Sequence, residues 1–99
     1  MKLYTINATP VQVKFTDTEN AVRTEKYPQE VAKLLGEYGI DGFTIYEVNG
    51  FWQGVAERSF KIEIASDGEI SREMLERLRD EYEQDAIMLT NPDNTVEFI

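Results

Sequence analysis

Between residues 47 and 63 the chain gathers the side chains with most chemistry to offer. Glu47, Glu57 and Glu63 stand there with Arg58 and Lys61, around the segment "EVNGFWQG". Paired carboxylates can act as general acid and base. On a wet strand face the same residues form cross-strand Glu–Arg or Glu–Lys pairs, and that is the reading adopted. Phe51 and Trp52, the chain's one tryptophan, sit between Gly50 and Gly54 with Gln53 alongside. Two such aromatics form either a ligand-stacking platform or an apolar plug that fills a subunit interface or caps the core. The plug is the simpler account. The two glycines would let backbone amides approach a ligand, although a turn explains them equally well. Arg58 interrupts the face shared by Phe60 and Ile62, which suits a strand end or, by preference, an inter-subunit ion pair. The candidate binding or interface residues are thus Glu47, Gly50, Phe51, Trp52, Gln53, Gly54, Glu57 and Arg58. No residue is assigned as catalytic or metal-binding.

The 99 residues include no cysteine and no histidine. Disulfides, structural zinc, and thiol or imidazole catalysis are therefore excluded. "SDGE" and "NPDN" gather oxygen atoms but lack the alternating ligands and distal Glu of a calcium loop, so turn chemistry explains them. No cofactor is expected. The net charge of −9 argues against direct binding of nucleic acid or anionic membrane. It suits a basic protein partner, or simple solubility. "MKLYTINA" is too short and polar for a signal peptide, and no apolar run approaches the ~18 residues of a membrane span. A cytoplasmic protein is expected.

The elements that must position these residues follow from periodicity. "KLYTI" and "VQVKF" read as extended, the second from the alternation of Val11, Val13 and Phe15. Thr9-Pro10 between them marks a bend, bulge or sheet edge. "TDTENAVRTEK" reads as a mobile loop. Pro28 opens a helix whose inner face is Val31, Leu34, Leu35 and Tyr38, with Gly39 as its left-handed cap. "GFTIYEV" and "RSFKIEI" are strands. Ser71 caps a second helix with Met74, Leu75, Leu78 and Tyr82 inward. "AIMLT" and "TVEFI" close the chain as a hairpin. This order predicts one ferredoxin-like α+β sandwich over residues 1–99: βαββαβ plus a terminal strand, with both helices on one face of an antiparallel sheet. The opposite face carries Thr44, Tyr46, Val48 and Ala65 and is only partly polar, which favours a covering partner.

"GFTIYEVNGFWQG" and "FKIEIAS" resemble the second and third strands of the PII-like superfamily (GlnB- and CutA-like). The resemblance implies a homo-oligomer, a trimer above all, packed sheet to sheet with clefts between subunits. The chain departs from that family in lacking the long loop between these strands. "YEQDAIML" and "TVEFI" also lack the glycines and cations that would hold nucleotide phosphates. The function expected on these grounds is a non-catalytic PII-like oligomer that binds a partner or a small ligand. The alternative is an acidic inhibitor that mimics nucleic acid and blocks a basic partner. An enzyme using carboxylates alone ranks third.

Overall fold

The computed structural model describes residues 1–99. Strand β1 (Lys2–Ala8) leads to helix α1 (Asp17–Glu37), strands β2 (Phe43–Trp52) and β3 (Val55–Ser66), helix α2 (Arg72–Glu81), and strands β4 (Met88–Thr90) and β5 (Val96–Phe98). The strands form one antiparallel sheet in the order β2-β3-β1-β4-β5. The expected α+β sandwich is what is found. Alternate residues of β1 and β3 (Tyr4, Ile6 and Ala8; Phe60, Ile62 and Ile64) share one core with Val31, Leu34 and Leu35 of α1 and Met74, Leu75 and Leu78 of α2. No helix is long and apolar enough to cross a membrane.

The first third of the chain departs from its sequence pattern. β1 ends at Ala8, and "VQVKF" is irregular, with Val13 fully exposed. Its backbone is claimed by side chains instead. The Gln12 amide donates to Asn20 Oδ1 and its carbonyl accepts from Asn20 Nδ2, both at 3.0 Å. The Gln12 side chain donates to the Tyr82 carbonyl at the end of α2 at 2.6 Å. A strand cannot form where these groups are already bound.

"TDTENAVRTEK" is helical, not a loop. Thr16 and Glu19 make a reciprocal capping box, with the Glu19 amide donating to Thr16 Oγ1 and the Thr16 amide to Glu19 Oε2. Pro28 consequently lies inside α1 rather than at its start. Packing of Tyr27 and Val31 in the core holds the helix across the missing N–H. Gly39, at φ 78°, ends the helix as expected. On α2 the Ser71 cap is present, and Arg77 pairs with Glu81 on the same helix and with Glu37 of α1.

Candidate functional site

β2 and β3 pair from Phe43↔Ile64 to Trp52↔Val55 and turn at Gln53-Gly54, where both φ angles are positive (50° and 79°). That is the two-residue geometry favoured in tight hairpins. The turn is narrower than "NGFWQG" suggests, because Gly50, Phe51 and Trp52 belong to β2 itself. β1 stops pairing with β3 at Ala8↔Phe60. Beyond that point the hairpin projects as a two-stranded ribbon, open toward its tip and covered at its root on the outer face, where Ser59 is buried beside Thr9.

The register sorts the eight candidates onto two faces, since successive strand residues point oppositely. Glu47, Phe51 and Arg58 lie on the helix side, past the reach of the helices. There Arg58 Nε and Nη2 hold both Glu47 oxygens at 2.5 and 3.1 Å. The arginine bond keeps the Glu47 carboxyl below its ordinary range and raises Arg58. This ion pair lies within the chain, where an inter-subunit partner had been preferred for Arg58. Gly50, Trp52 and Glu57 lie on the outer face, away from the helices, and Gln53 and Gly54 form the turn. Phe51 and Trp52 therefore do not form one plug: they point to opposite sides and are 71% and 68% exposed.

The outer face brings further residues to Gly50, Trp52 and Glu57. Tyr46 lies opposite Lys61, Val48 opposite Ser59, and Thr44 opposite Glu63. The Tyr46 hydroxyl donates to Glu63 Oε1 at 2.6 Å. That bond, then desolvation, raises the phenol above its ordinary range. Ser59 is buried and shares a hydrogen bond of 2.8 Å with Thr9. A Cβ on Gly50 would lie 2.7 Å from Ser59 Oγ. Gly50 has no positive φ, so space for Ser59, rather than backbone conformation, explains the glycine. At the base of the hairpin the face opens into a cleft of about 610 Å³ lined by Leu3, Asp41, Phe43, Thr44, Glu63 and Asp67 among others. Along the outer face, the carboxylates of Glu57 and Glu63, the rings of Tyr46 and Trp52 and the small residues Gly50 and Ser59 suit an organic cation that carries an aromatic ring.

Tyr46, Ser59 and Thr9 are not among the eight candidates, and Glu63 is read in the sequence only as a cross-strand pairing carboxylate. Tyr46 and Glu63 join the site only once the turn is placed at Gln53-Gly54. Ser59 shares the alternation of Glu57, a signal that was available. Thr9 reaches the site through the sheet, and local sequence carries no sign of that.

Comparison with known proteins decides the family. The S-adenosylmethionine lyase family profile matches residues 8–99. The chain belongs to the S-adenosylmethionine lyase family. Two solved structures share its fold. One is a phage SAM lyase in complex with S-methyl-5'-thioadenosine, with TM-score 0.61 and 15% identity over 99% of this chain and 88% of that one. The other is a phage SAM lyase in the apo state, with TM-score 0.58 and 16% identity over 99% and 87%. No curated protein matches the chain.

Membership of this lyase family corrects two expectations. The PII-like assignment is replaced: split βαβ topology and two short strand matches are shared by unrelated functions and do not define a family. The non-catalytic module, and with it the acidic inhibitor, gives way to a family of enzymes. Lack of His and Cys had weighed against catalysis, but breaking a sulfonium C–S bond releases a neutral thioether. Such a leaving group needs neither a proton donor nor a protein nucleophile.

Proposed function

We propose that this chain cleaves S-adenosylmethionine, releasing S-methyl-5'-thioadenosine, on the outer face of the β2–β3 hairpin. The observation that carries the reading is the lyase-family match across residues 8–99. A phage SAM lyase of the same fold has been solved with S-methyl-5'-thioadenosine. In the cleavage the electron pair of the C–S bond passes to sulfur. As that bond breaks, the four-carbon fragment's own carboxylate oxygen closes onto the same carbon to give a lactone, so the step balances without water, a base or a protein nucleophile.

The protein's part is binding and electrostatics. Glu57 attracts the cationic substrate, and the Trp52 ring offers a face to adenine. Ser59 and Gly50 keep the floor between them low. Glu47, Phe51 and Arg58 brace the ribbon from the other side, and Gln53 and Gly54 set its tip.

The same face is proposed as the contact in a homo-oligomer, with a trimer favoured. Trp52, Val55, Val96 and Phe98 present exposed apolar surface there, 68%, 64%, 51% and 71% open. Covering them would also exclude water from the sulfonium. A cytoplasmic setting is proposed because the substrate is an intracellular metabolite.

The test is direct. Purified protein incubated with S-adenosylmethionine should produce S-methyl-5'-thioadenosine, detected by chromatography with mass spectrometry. A folded protein that leaves saturating S-adenosylmethionine intact refutes the proposal.

A further inference from the structure

Tyr46 and Glu63 stand on adjacent strands at diagonal positions, joined by the 2.6 Å bond from phenol to carboxylate. That length falls in the range of charge-assisted O–H···O⁻ bonds, which are roughly twice as strong as neutral ones. A phenol has one proton to give. With that proton committed to Glu63, the Tyr46 oxygen can offer a third group only its lone pairs. The ring is 40% exposed, so the oxygen is within reach of a ligand on the outer face.

We propose that Glu63 is a positioning residue for Tyr46, fixing the phenol as a one-sided acceptor that favours a sulfonium cation over the neutral thioether it becomes. This rests on the assignment of S-adenosylmethionine cleavage to the outer face. The carboxylate lends the phenol oxygen electron density and keeps it protonated, in line with its raised pKa. The other charged group facing the pair is Lys61, directly across from Tyr46 on β3. β1 contributes only the uncharged Thr5 and Asn7, opposite Glu63 and Lys61. Glu57 lies further toward the tip, and Asp41 and Asp67 line the cleft at the other end. An acceptor of this kind attracts the substrate while its sulfur is positive. It loses that attraction when the bond breaks, so it selects substrate and lets product leave.

The test uses Glu63→Ala, Glu63→Gln and Tyr46→Phe in the full chain. Subtracting the Tyr46→Phe ultraviolet titration from the wild-type one isolates the Tyr46 phenol. In Glu63→Ala its titration should fall toward the ordinary phenol value of about 10. The KM for S-adenosylmethionine should rise about tenfold, the scale of one charge-assisted hydrogen bond. Inhibition by S-methyl-5'-thioadenosine should stay at the wild-type level. Glu63→Gln still accepts the phenol proton through its amide oxygen, so its KM should fall between wild type and Glu63→Ala. If Glu63→Ala is misfolded by circular dichroism, Glu63→Gln carries the test by the same split between substrate and product. An unchanged KM with an unchanged phenol titration overturns the proposal. So does an equal weakening of substrate and product, which would mean a lost general contact. A wild type without turnover refutes the functional assignment instead, and calorimetric binding of the sulfonium against the thioether then still decides the role of Glu63.

Discussion

Gly50→Ala tests whether the floor of the site is built as described. The added Cβ would lie 2.7 Å from Ser59 Oγ and 3.4 Å from Ser59 Cβ, while the nearest backbone atom, the Glu57 carbonyl oxygen, is 3.7 Å away. The side chain of Ser59 must therefore give way, and the backbone need not. Rotating Ser59 breaks its 2.8 Å bond to Thr9, a net loss of ~0.5–1.5 kcal/mol. Against this, replacing glycine by alanine in a strand gains ~0.5–1 kcal/mol. Gly50→Ala alone should thus lie within ~1 kcal/mol of wild type. In a Ser59→Ala background the obstacle is gone, and the same substitution should stabilise by ~0.5–1 kcal/mol. The sign of its effect then depends on Ser59, with a coupling energy of ~1 kcal/mol. Urea denaturation of the four proteins in the cycle measures this. Additivity within ~0.3–0.5 kcal/mol would refute the claim that Ser59 occupies the space in front of Gly50.

Leu78, fully buried in α2, should cost ~2–5 kcal/mol on replacement by alanine; a loss below ~1 kcal/mol by urea denaturation would contradict its place in the core. Trp52→Ala should leave the stability of an isolated subunit nearly unchanged, since the ring is 68% exposed there, yet shift an oligomer toward monomer in light scattering. A wild type that is monomeric at all concentrations would remove that role. Glu47 has a folded-state carboxyl pKa depressed by Arg58. Its contribution is present at neutral pH and lost as pH falls through the folded value. Because the pair is exposed, Glu47→Gln should cost under ~1 kcal/mol at pH 7 and nothing in acid, as read from denaturation at both pH values.

The second half of the chain was legible because local and tertiary demands agree there. Phe60, Ile62 and Ile64 alternate inward on β3, and Ser71 caps the helix that buries Met74, Leu75 and Leu78. Residues 11–27 were misread because they do not agree. Val11, Val13 and Phe15 alternate like a strand, but Asn20 binds the Gln12 amide and carbonyl and the Phe15 carbonyl, and Arg23 donates to the Pro10 carbonyl. The first turns of α1 are polar because that end of the helix faces water, with Thr24 and Tyr27 its first buried residues. The site was half legible. Glu57, Gly50 and Trp52 were chosen from a short segment, whereas Tyr46, Glu63 and Thr9 reach it by register and by the sheet. The glycines also misled: Gly50 looked like a turn residue, and its role is to make room for Ser59.

One property that argued against a nucleotide site suits a cationic substrate. Few cations near the last strands make a triphosphate site unfavourable, since a polyanion held without countercharge is costly. The same lack favours a substrate that is itself a cation, because the carboxylates of the outer face are not neutralised by neighbouring lysines or arginines apart from Lys61. If the fragment's own carboxylate closes onto carbon, positive sulfur and negative oxygen annihilate on the way to product. Charges that disappear in the transition state are favoured by a less polar surrounding, where water does not stabilise the separated pair. An open sheet face in water cannot supply that environment alone. The apolar rim of Trp52, Val55, Val96 and Phe98 can, once another copy covers it. Assembly and catalysis would then impose a single requirement on the outer face, and its mixture of carboxylates and bare hydrophobic side chains meets both.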